Sequence, residues 1–351
     1  MSPAADSHGP FSHPNRVRLI DEYFGERRID PHEAWKDVYR LLLWSDPTTG
    51  LAHCYESDKA QPGRPWYART LAFHAWLADQ FAVRQAELPD ALDWMFRRVI
   101  KRVADEDAAR RQRLIEKAAT QREPYEAGMP APGEDSELHQ IIEPLLPREL
   151  ADRPNDELVR DVLQRVRVHI ASENKRKNLL GRGFEDVLAG VIRRVARTPP
   201  ETLGTQTPIE QIRGFRPPRD GDKTEKVDLW VEPDYGGRTL VSAKWSVRSD
   251  REKQMRSDFL TYIDCNELRE PFEYVWVTNE FDPARLVANA TATYGNSHVF
   301  AAVVHICPRA LELVHELDKP ALPKSCAELK YALDTDRIIS LGRWLSDLRS
   351  G

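Results

Sequence analysis

Residues 226–247 read KVDLWVEPDYGGRTLVSAKWSV, and their pattern indicates the centre of the fold. Apolar and polar residues alternate in the first six positions and again after Arg238, which is typical of half-buried β-strands. The residues between these two runs are rich in Pro, Asp and Gly and favour a turn. The segment therefore predicts an antiparallel hairpin, and such a hairpin can bring Asp228 and Lys244 together at its open end.

The rest of the second half continues with short apolar runs and helical periodicity. Further strands are predicted at Glu273–Thr278 and His298–Cys307. Helices are predicted at Asn155–Val195, Asp250–Tyr262, Pro283–Ala290, Pro308–Leu317 and Asp334–Leu348. Strands that alternate with helices in this way predict an α/β (α+β) fold with a mixed central sheet flanked by helices.

Shifts in composition divide the chain into five predicted parts. Residues 15–122 carry apolar residues at helical spacing, and the following 25 or so residues contain five prolines and two glycines. The predicted parts are a flexible tail (1–14), an N-terminal helical region (15–122), a Pro-rich linker (123–147), an α/β domain (148–320) and a C-terminal helical extension (321–351).

The composition is that of a soluble globular protein. The 351 residues are 41% hydrophobic and 30% charged, and no apolar run approaches the roughly 20 residues needed to span a bilayer. The polar N-terminus lacks the pattern of a secretory signal peptide. The four cysteines are far apart in the sequence, which is typical of reduced thiols and gives no support for a zinc site. These features predict a cytoplasmic location.

Charge is unevenly distributed along the chain. The net charge is −5, but residues 160–199 contain ten lysines and arginines and four acidic residues. Such a basic stretch can neutralise phosphates, and it is also typical of a solvated helix face. It allows a nucleic-acid partner without requiring one.

Asp228 and Lys244 suggest a specific chemistry. Mg²⁺-dependent cleavage of a phosphodiester needs a carboxylate that holds the cation and a positive charge beside the attacking water or the phosphate. An exposed salt bridge on a hairpin is the alternative. Glu185 borders the apolar stripe of a preceding helix and can reach the same place, although an acid in a first helical turn is also favoured by the helix dipole. Asp258 falls fourteen residues after Lys244, on the next helix.

At this point the sequence resembles a known family. The segment Ser242–Arg251 reads SAKWSVRSDR. Together with Asp258 and the Gly-Phe-Glu helix around Glu185, it resembles the CCGG-recognising type II restriction endonucleases of the PD-(D/E)xK superfamily. In that branch the (D/E)xK strand reads SxK, and the following helix supplies the displaced acid. The match covers residues 178–263.

The resemblance implies a role for each of these residues. Ser242 would occupy the vacated acidic position, Asp228 and Asp258 would bind Mg²⁺, Glu185 would assist them as a further acidic ligand, and Lys244 would be the catalytic lysine. Two features depart from the family pattern. The displaced acid is Asp rather than the commoner Glu, and the spacing from Asp228 to Ser242 is compact, so the connection between the strands differs.

The resemblance also implies that residues 248–251 read the DNA bases. Arg248 and Arg251 each offer a fork to guanine, and the carboxylate of Asp250 accepts from cytosine N4, with Ser249 between them. A capping Asp beside exposed arginines at a helix start is the alternative.

The expected protein is a type II site-specific deoxyribonuclease that restricts foreign DNA. It would hydrolyse double-stranded DNA at a palindromic site containing CC/GG and leave 5′-phosphate ends. A palindrome implies a homodimer or homotetramer, with the helical region 15–122 adding DNA contacts or the oligomer interface. A separate cognate DNA methyltransferase is expected in the same cell. The alternatives are a repair or structure-selective nuclease on the same fold and a non-catalytic DNA-binding protein.

Overall fold

A six-stranded mixed sheet flanked by helices forms the centre of the structure, which confirms the predicted α+β class. The structure, a computed structural model, describes residues 9–44, 62–121, 179–196, 202–219, 226–233, 237–247, 249–267 and 269–350. Within these ranges no helix combines the length and the apolar character that crossing a membrane requires.

The described ranges contain the following helices and strands, numbered in chain order. The helices are α1 (His13–Phe24), α2 (Ala34–Leu42), α3 (Pro65–Phe81), α4 (Leu88–Ala91), α5 (Trp94–Gln121), α6 (residues 179–196), α7 (Ser249–Cys265), α8 (Pro283–Ala290), α9 (Pro308–His315), α10 (Lys324–Asp334) and α11 (Leu341–Ser350). The strands are β1 (Leu203–Pro208), β2 (Lys226–Val231), β3 (Thr239–Lys244), β4 (Glu273–Thr278), β5 (Thr293–Tyr294), β6 (Ser297–His298), β7 (Ala302–His305) and β8 (Ile338–Ser340).

The sheet has the strand order β1-β2-β3-β4-β7-β8. The first three strands pair antiparallel, which confirms the predicted hairpin, and β3, β4, β7 and β8 pair parallel. Val227, Leu229 and Val231 are buried on one face of β2, while Asp228 and Trp230 are partly exposed on the other. The alternation in the sequence therefore places the side chain of Asp228 on the face of β2 opposite Val227, Leu229 and Val231.

Apart from shifts of up to three residues at the ends of several elements, three features differ from those that the sequence predicts. The predicted strand His298–Cys307 is divided, because Ser297–His298 pairs with Thr293–Tyr294 in a separate two-stranded sheet and the central strand begins only at Ala302. The predicted helix Asp334–Leu348 is wrong over residues 335–340, because strand β8 lies between the end of α10 at Asp334 and the start of α11 at Leu341. Strand β1 was not predicted. Strands of three residues, or rich in Gly, Thr and Pro, carry too little periodicity to be recognised.

The N-terminal helices pack against the end of the sheet where β3 and β4 finish. The hydroxyl group of Tyr39 on α2 donates a buried hydrogen bond of 2.7 Å to Oδ1 of Asn279. The ring of Tyr39 also lies edge-on to Trp245, and Phe184 on α6 lies edge-on to the same indole. The residue that follows Lys244 is thus fixed from two sides.

The chain divides into two compact units. One comprises residues 12–96 and 179–351 and contains the sheet, and the other comprises residues 1–11 and 97–178. In the second unit the structure describes residues 9–11 and the helical residues 97–121. The five-part organisation that composition suggests stays a prediction.

A buried ion pair joins α1 to α6. Nε of Arg16 donates to Oδ2 of Asp186 at 2.6 Å, with 9% and 2% of the two side chains exposed. The ring of His13 contacts the other carboxylate oxygen at 2.9 Å. Because Asp186 is the neighbour of Glu185, this pair also fixes the first turns of the helix that carries a candidate site residue.

We expect Arg16→Ala to lower the free energy of unfolding by about 3–5 kcal/mol, because it leaves the carboxylate of Asp186 buried without its main partner. Arg18→Ala is the matched control on the same helix, since Arg18 pairs with Glu22 at the surface, 3.3 Å away, and such pairs contribute at most about 1 kcal/mol. Urea unfolding of both variants measures the difference. Equal losses of unfolding free energy in the two variants would show that the buried pair with Asp186 stabilises the fold no more than the exposed pair with Glu22.

Candidate functional site

Asp228 and Lys244 lie in contact where β2 and β3 run side by side. Leu229 pairs with Val241, which brings Asp228 alongside Ser242 and leaves Lys244 as the last residue of β3. Nζ of Lys244 is 2.6 Å from Oδ2 of Asp228, with 40% and 12% of the two side chains exposed. The proximity predicted from the hairpin is therefore confirmed, and their catalytic roles stay predictions.

The carboxylate of Asp228 is oriented by the neighbouring strand. Oδ2 accepts a hydrogen bond of 3.0 Å from the backbone N–H of Ala243 and a longer one of 3.5 Å from the hydroxyl group of Ser242. Ser242 is buried, with 3% exposed. Ser242 therefore donates a hydrogen bond to the carboxylate of Asp228, at the position where the (D/E)xK pattern has an acidic residue.

Glu185 reaches the same place from α6. It is only 4% exposed, and Oε2 accepts a hydrogen bond of 2.8 Å from Nε2 of Gln206. The same nitrogen lies 3.5 Å from Oδ1 of Asp228, so one side-chain amide joins the two carboxylates. Burial and the charge of Asp228 raise the pKa of Glu185 to about 8, although Lys244 and Gln206 oppose the shift.

Asp258 on α7 acts on the site through its charge. Burial by itself would lower the pKa of Lys244, but the carboxylates of Asp228, Glu185 and Asp258 outweigh it and raise that pKa above its ordinary value. Asp258 also accepts a hydrogen bond of 2.7 Å from Gln254, one turn earlier on the same helix. The structure thus links Glu185 to Asp228 through Gln206 and Asp258 to Lys244 by charge, and the role of Asp258 as a metal ligand stays a prediction.

Glu185 and Asp228 together could bind a divalent cation such as Mg²⁺. Among the described residues no three or more His, Cys, Asp or Glu side chains are grouped as a metal site. Mg²⁺ is commonly held by only one or two carboxylates, with water and substrate phosphate completing its shell. Glu185 and Asp228 bring two carboxyl groups together in a largely buried place, where the charge of Asp228 helps to raise the pKa of Glu185, and a bound cation would favour the ionised form of both. The pair therefore meets the requirement for Mg²⁺.

A buried carboxylate fixes the segment that follows Lys244. Oε2 of Glu280 accepts from the N–H of Val247 at 2.9 Å, and Oε1 accepts from the N–H groups of Phe281 and Asp282 at 3.0 and 2.9 Å. Arg285 lies 3.5 Å from the same carboxylate. Glu280 therefore clamps the exit of β3 to the loop after β4 and keeps the end of the strand rigid.

The proposed base-reading residues are only partly covered by the structure. The backbone of Ser249, Asp250 and Arg251 forms the first turn of α7, and Arg248 lies outside the described residues. Their contacts with bases stay a prediction. Their position close after Lys244 along the chain links any reading of DNA directly to the site.

Sequence reasoning missed two residues that shape the site, Gln206 and Glu280. Gln206 lies on a strand that the sequence did not predict, and a lone glutamine carries no motif. Glu280 follows an apolar strand and resembles an ordinary surface acid in the sequence. Only the pairing of strands that are distant in sequence reveals either contact.

A scan against protein-family models and a search of the curated proteins both returned no match to this chain.

Proposed function

We propose that this chain is a Mg²⁺-dependent, type II site-specific deoxyribonuclease built on the PD-(D/E)xK fold. The observation that carries the proposal is the contact of 2.6 Å between Lys244 and Asp228, with Glu185 joined to the same acid through Gln206. Two carboxylates and a lysine gathered near the end of β3 supply the charges that phosphodiester hydrolysis requires. The three charges come from different elements, Glu185 from α6, Asp228 from β2 and Lys244 from β3.

The division of work follows from the contacts. Asp228, held by Ala243 and Ser242, and Glu185, held by Gln206, would bind the cation. The chemistry that Mg²⁺ supplies at such a site is neutralisation of the charge that develops on the phosphate. Lys244 is half-exposed beside the acids, so it can place its positive charge against a water or a phosphate oxygen. In-line attack by water would leave 5′-phosphate ends.

The recognition site is proposed to be a palindrome containing CC/GG. Each protomer of a homodimer or homotetramer would read one half-site with Arg248, Asp250 and Arg251, assisted by Ser249, at the start of α7. The same helix carries Asp258, so the base-reading residues and the charge of Asp258 would lie on one element. A separate DNA methyltransferase would protect the host sites.

We expect Arg251→Ala to reduce base discrimination by about 1–3 kcal/mol at one position of the site, because a fork to guanine would be lost. Arg256→Ala is the control on the same helix, where the side chain is exposed. Competition binding with single-base variants of the site, in Ca²⁺, measures the effect. A uniform loss of affinity over all sequences would instead mark Arg251 as a phosphate contact.

Digestion of unmethylated plasmid DNA with Mg²⁺ or with EDTA tests the function. Discrete fragments that appear only with Mg²⁺ support a restriction endonuclease. A Mg²⁺-dependent smear, or cutting confined to nicked or branched DNA, would favour a repair or structure-selective nuclease. Binding without any cutting would favour a non-catalytic DNA-binding protein.

A further inference from the structure

Gln206 has an unusual backbone conformation for a residue within a β-strand. Its φ is +50°, a left-handed value that residues other than glycine rarely adopt. Strand β1 nevertheless keeps its pairing with β2 on both sides, where Thr205 pairs with Leu229 and Thr207 pairs with Val227. The conformation therefore places Gln206 alongside Asp228 without interrupting the strand.

The side chain of Gln206 makes its best hydrogen bond to Glu185. The distance from Nε2 to Oε2 of Glu185 is 2.8 Å, whereas the distance to Oδ1 of Asp228 is 3.5 Å. Within the part of the chain that the structure describes, no donor contacts Oε1 of Glu185. One oxygen of the Glu185 carboxylate is thus anchored and the other is left for a ligand.

We propose that Gln206 is a positioning residue that anchors Glu185 through Oε2 and thereby directs the other oxygen of that carboxylate, with Asp228, towards a divalent cation. An amide N–H cannot itself ligate a cation, but a hydrogen bond to a ligating carboxylate fixes its orientation. Backbone strain is retained where it places a functional group. The inference rests on the proposed nuclease function, because it concerns the same cation.

The test uses two substitutions and Mn²⁺ as the probe. Gln206→Met keeps the length of the side chain and the strained backbone but removes the amide. Gln206→Gly removes the amide and relieves the strain. Free Mn²⁺ is measured by electron paramagnetic resonance in a titration of the full chain without DNA. We expect both variants to bind Mn²⁺ about tenfold more weakly than the unchanged protein, which is the usual effect of losing a partner of a metal ligand.

Gln112→Met is the matched control. Nε2 of Gln112 donates to Oε1 of Glu116 at 3.0 Å on the exposed surface of α5, so the same amide-to-carboxylate bond is removed away from the site. Its Mn²⁺ affinity should not change. Thermal unfolding of every variant, recorded without metal, verifies that the proteins are folded.

The outcomes separate this inference from the proposed function. If the unchanged protein binds Mn²⁺ and Asp228→Asn abolishes binding, the site holds a cation. The inference about Gln206 is then overturned by unchanged affinity in either variant. Weaker binding in Gln206→Gly alone is one such result, because the effect would then come from the backbone and not from the lost amide. If the unchanged protein binds no Mn²⁺, the proposed function and this inference fail together.

Discussion

Lys244→Ala is expected to abolish Mg²⁺-dependent DNA cleavage while DNA binding persists. Lys244 is the only lysine or arginine shown in contact with Asp228 among the described residues, at 2.6 Å. Without it, none of the described lysines and arginines would contact Asp228 to orient the phosphate and the attacking water. Removal of one such electrostatic group typically costs about a hundredfold to a thousandfold in rate, so residual cutting should fall below detection in a standard digest.

The control for this substitution is Lys324→Ala. Lys324 lies on α10 with 89% of its side chain exposed, and its loss should leave cleavage unchanged. Cleavage rates and gel-shift affinities in Ca²⁺ are measured for both variants. Cutting by Lys244→Ala at the unchanged rate would show that the site lies elsewhere in the chain.

Glu185→Gln is expected to stabilise the metal-free protein at alkaline pH. The pKa of Glu185 is about 8 in the folded state against an ordinary value of 4.5, because the group is buried and faces Asp228. Between these two values the folded state holds a proton that the unfolded state has released, so the free energy of unfolding falls as pH rises. The neutral amide of glutamine escapes this loss. We expect the variant to be more stable by about 3 kcal/mol near pH 9 and similar to the unchanged protein near pH 5.

Urea unfolding in EDTA at a series of pH values between 5 and 9 measures this difference. Glu316→Gln is the control, since the carboxylate of Glu316 pairs with Lys319 at the surface. Added Mg²⁺ should raise the stability of the unchanged protein at pH 8 to 9 and have little effect on Glu185→Gln. Curves that stay parallel over the whole pH range would contradict the assigned environment of Glu185.

Local patterns in the sequence predicted the centre of the sheet. β2 and β4 match the runs of alternating or continuous apolar residues, and α8 begins at Pro283 and ends at Ala290, as predicted. The side chain of Asp282 caps that helix by accepting from the N–H groups of Ala284 and Arg285. Alternating apolar residues and the ends of helices are set by residues that are close together in the chain, so they can be recognised in a single sequence.

The candidate site was predictable only where it depends on such local signals. Asp228 and Lys244 follow from the hairpin, and the apolar stripe around Phe184 and Leu188 places Glu185 towards the sheet. The role of Gln206 could not be predicted, because it depends on a left-handed backbone angle and on the pairing of β1 with β2. These are properties of the assembled sheet, and no pattern in the sequence encodes them directly.

Site-specific cleavage of DNA is tested by digesting unmethylated genomic DNA with this protein and Mg²⁺ and sequencing the fragment ends. We expect 5′-phosphate ends that fall at one short palindrome containing CC/GG, with no cutting in EDTA. Ends scattered without a common sequence, or DNA that stays intact with Mg²⁺ present, would contradict it.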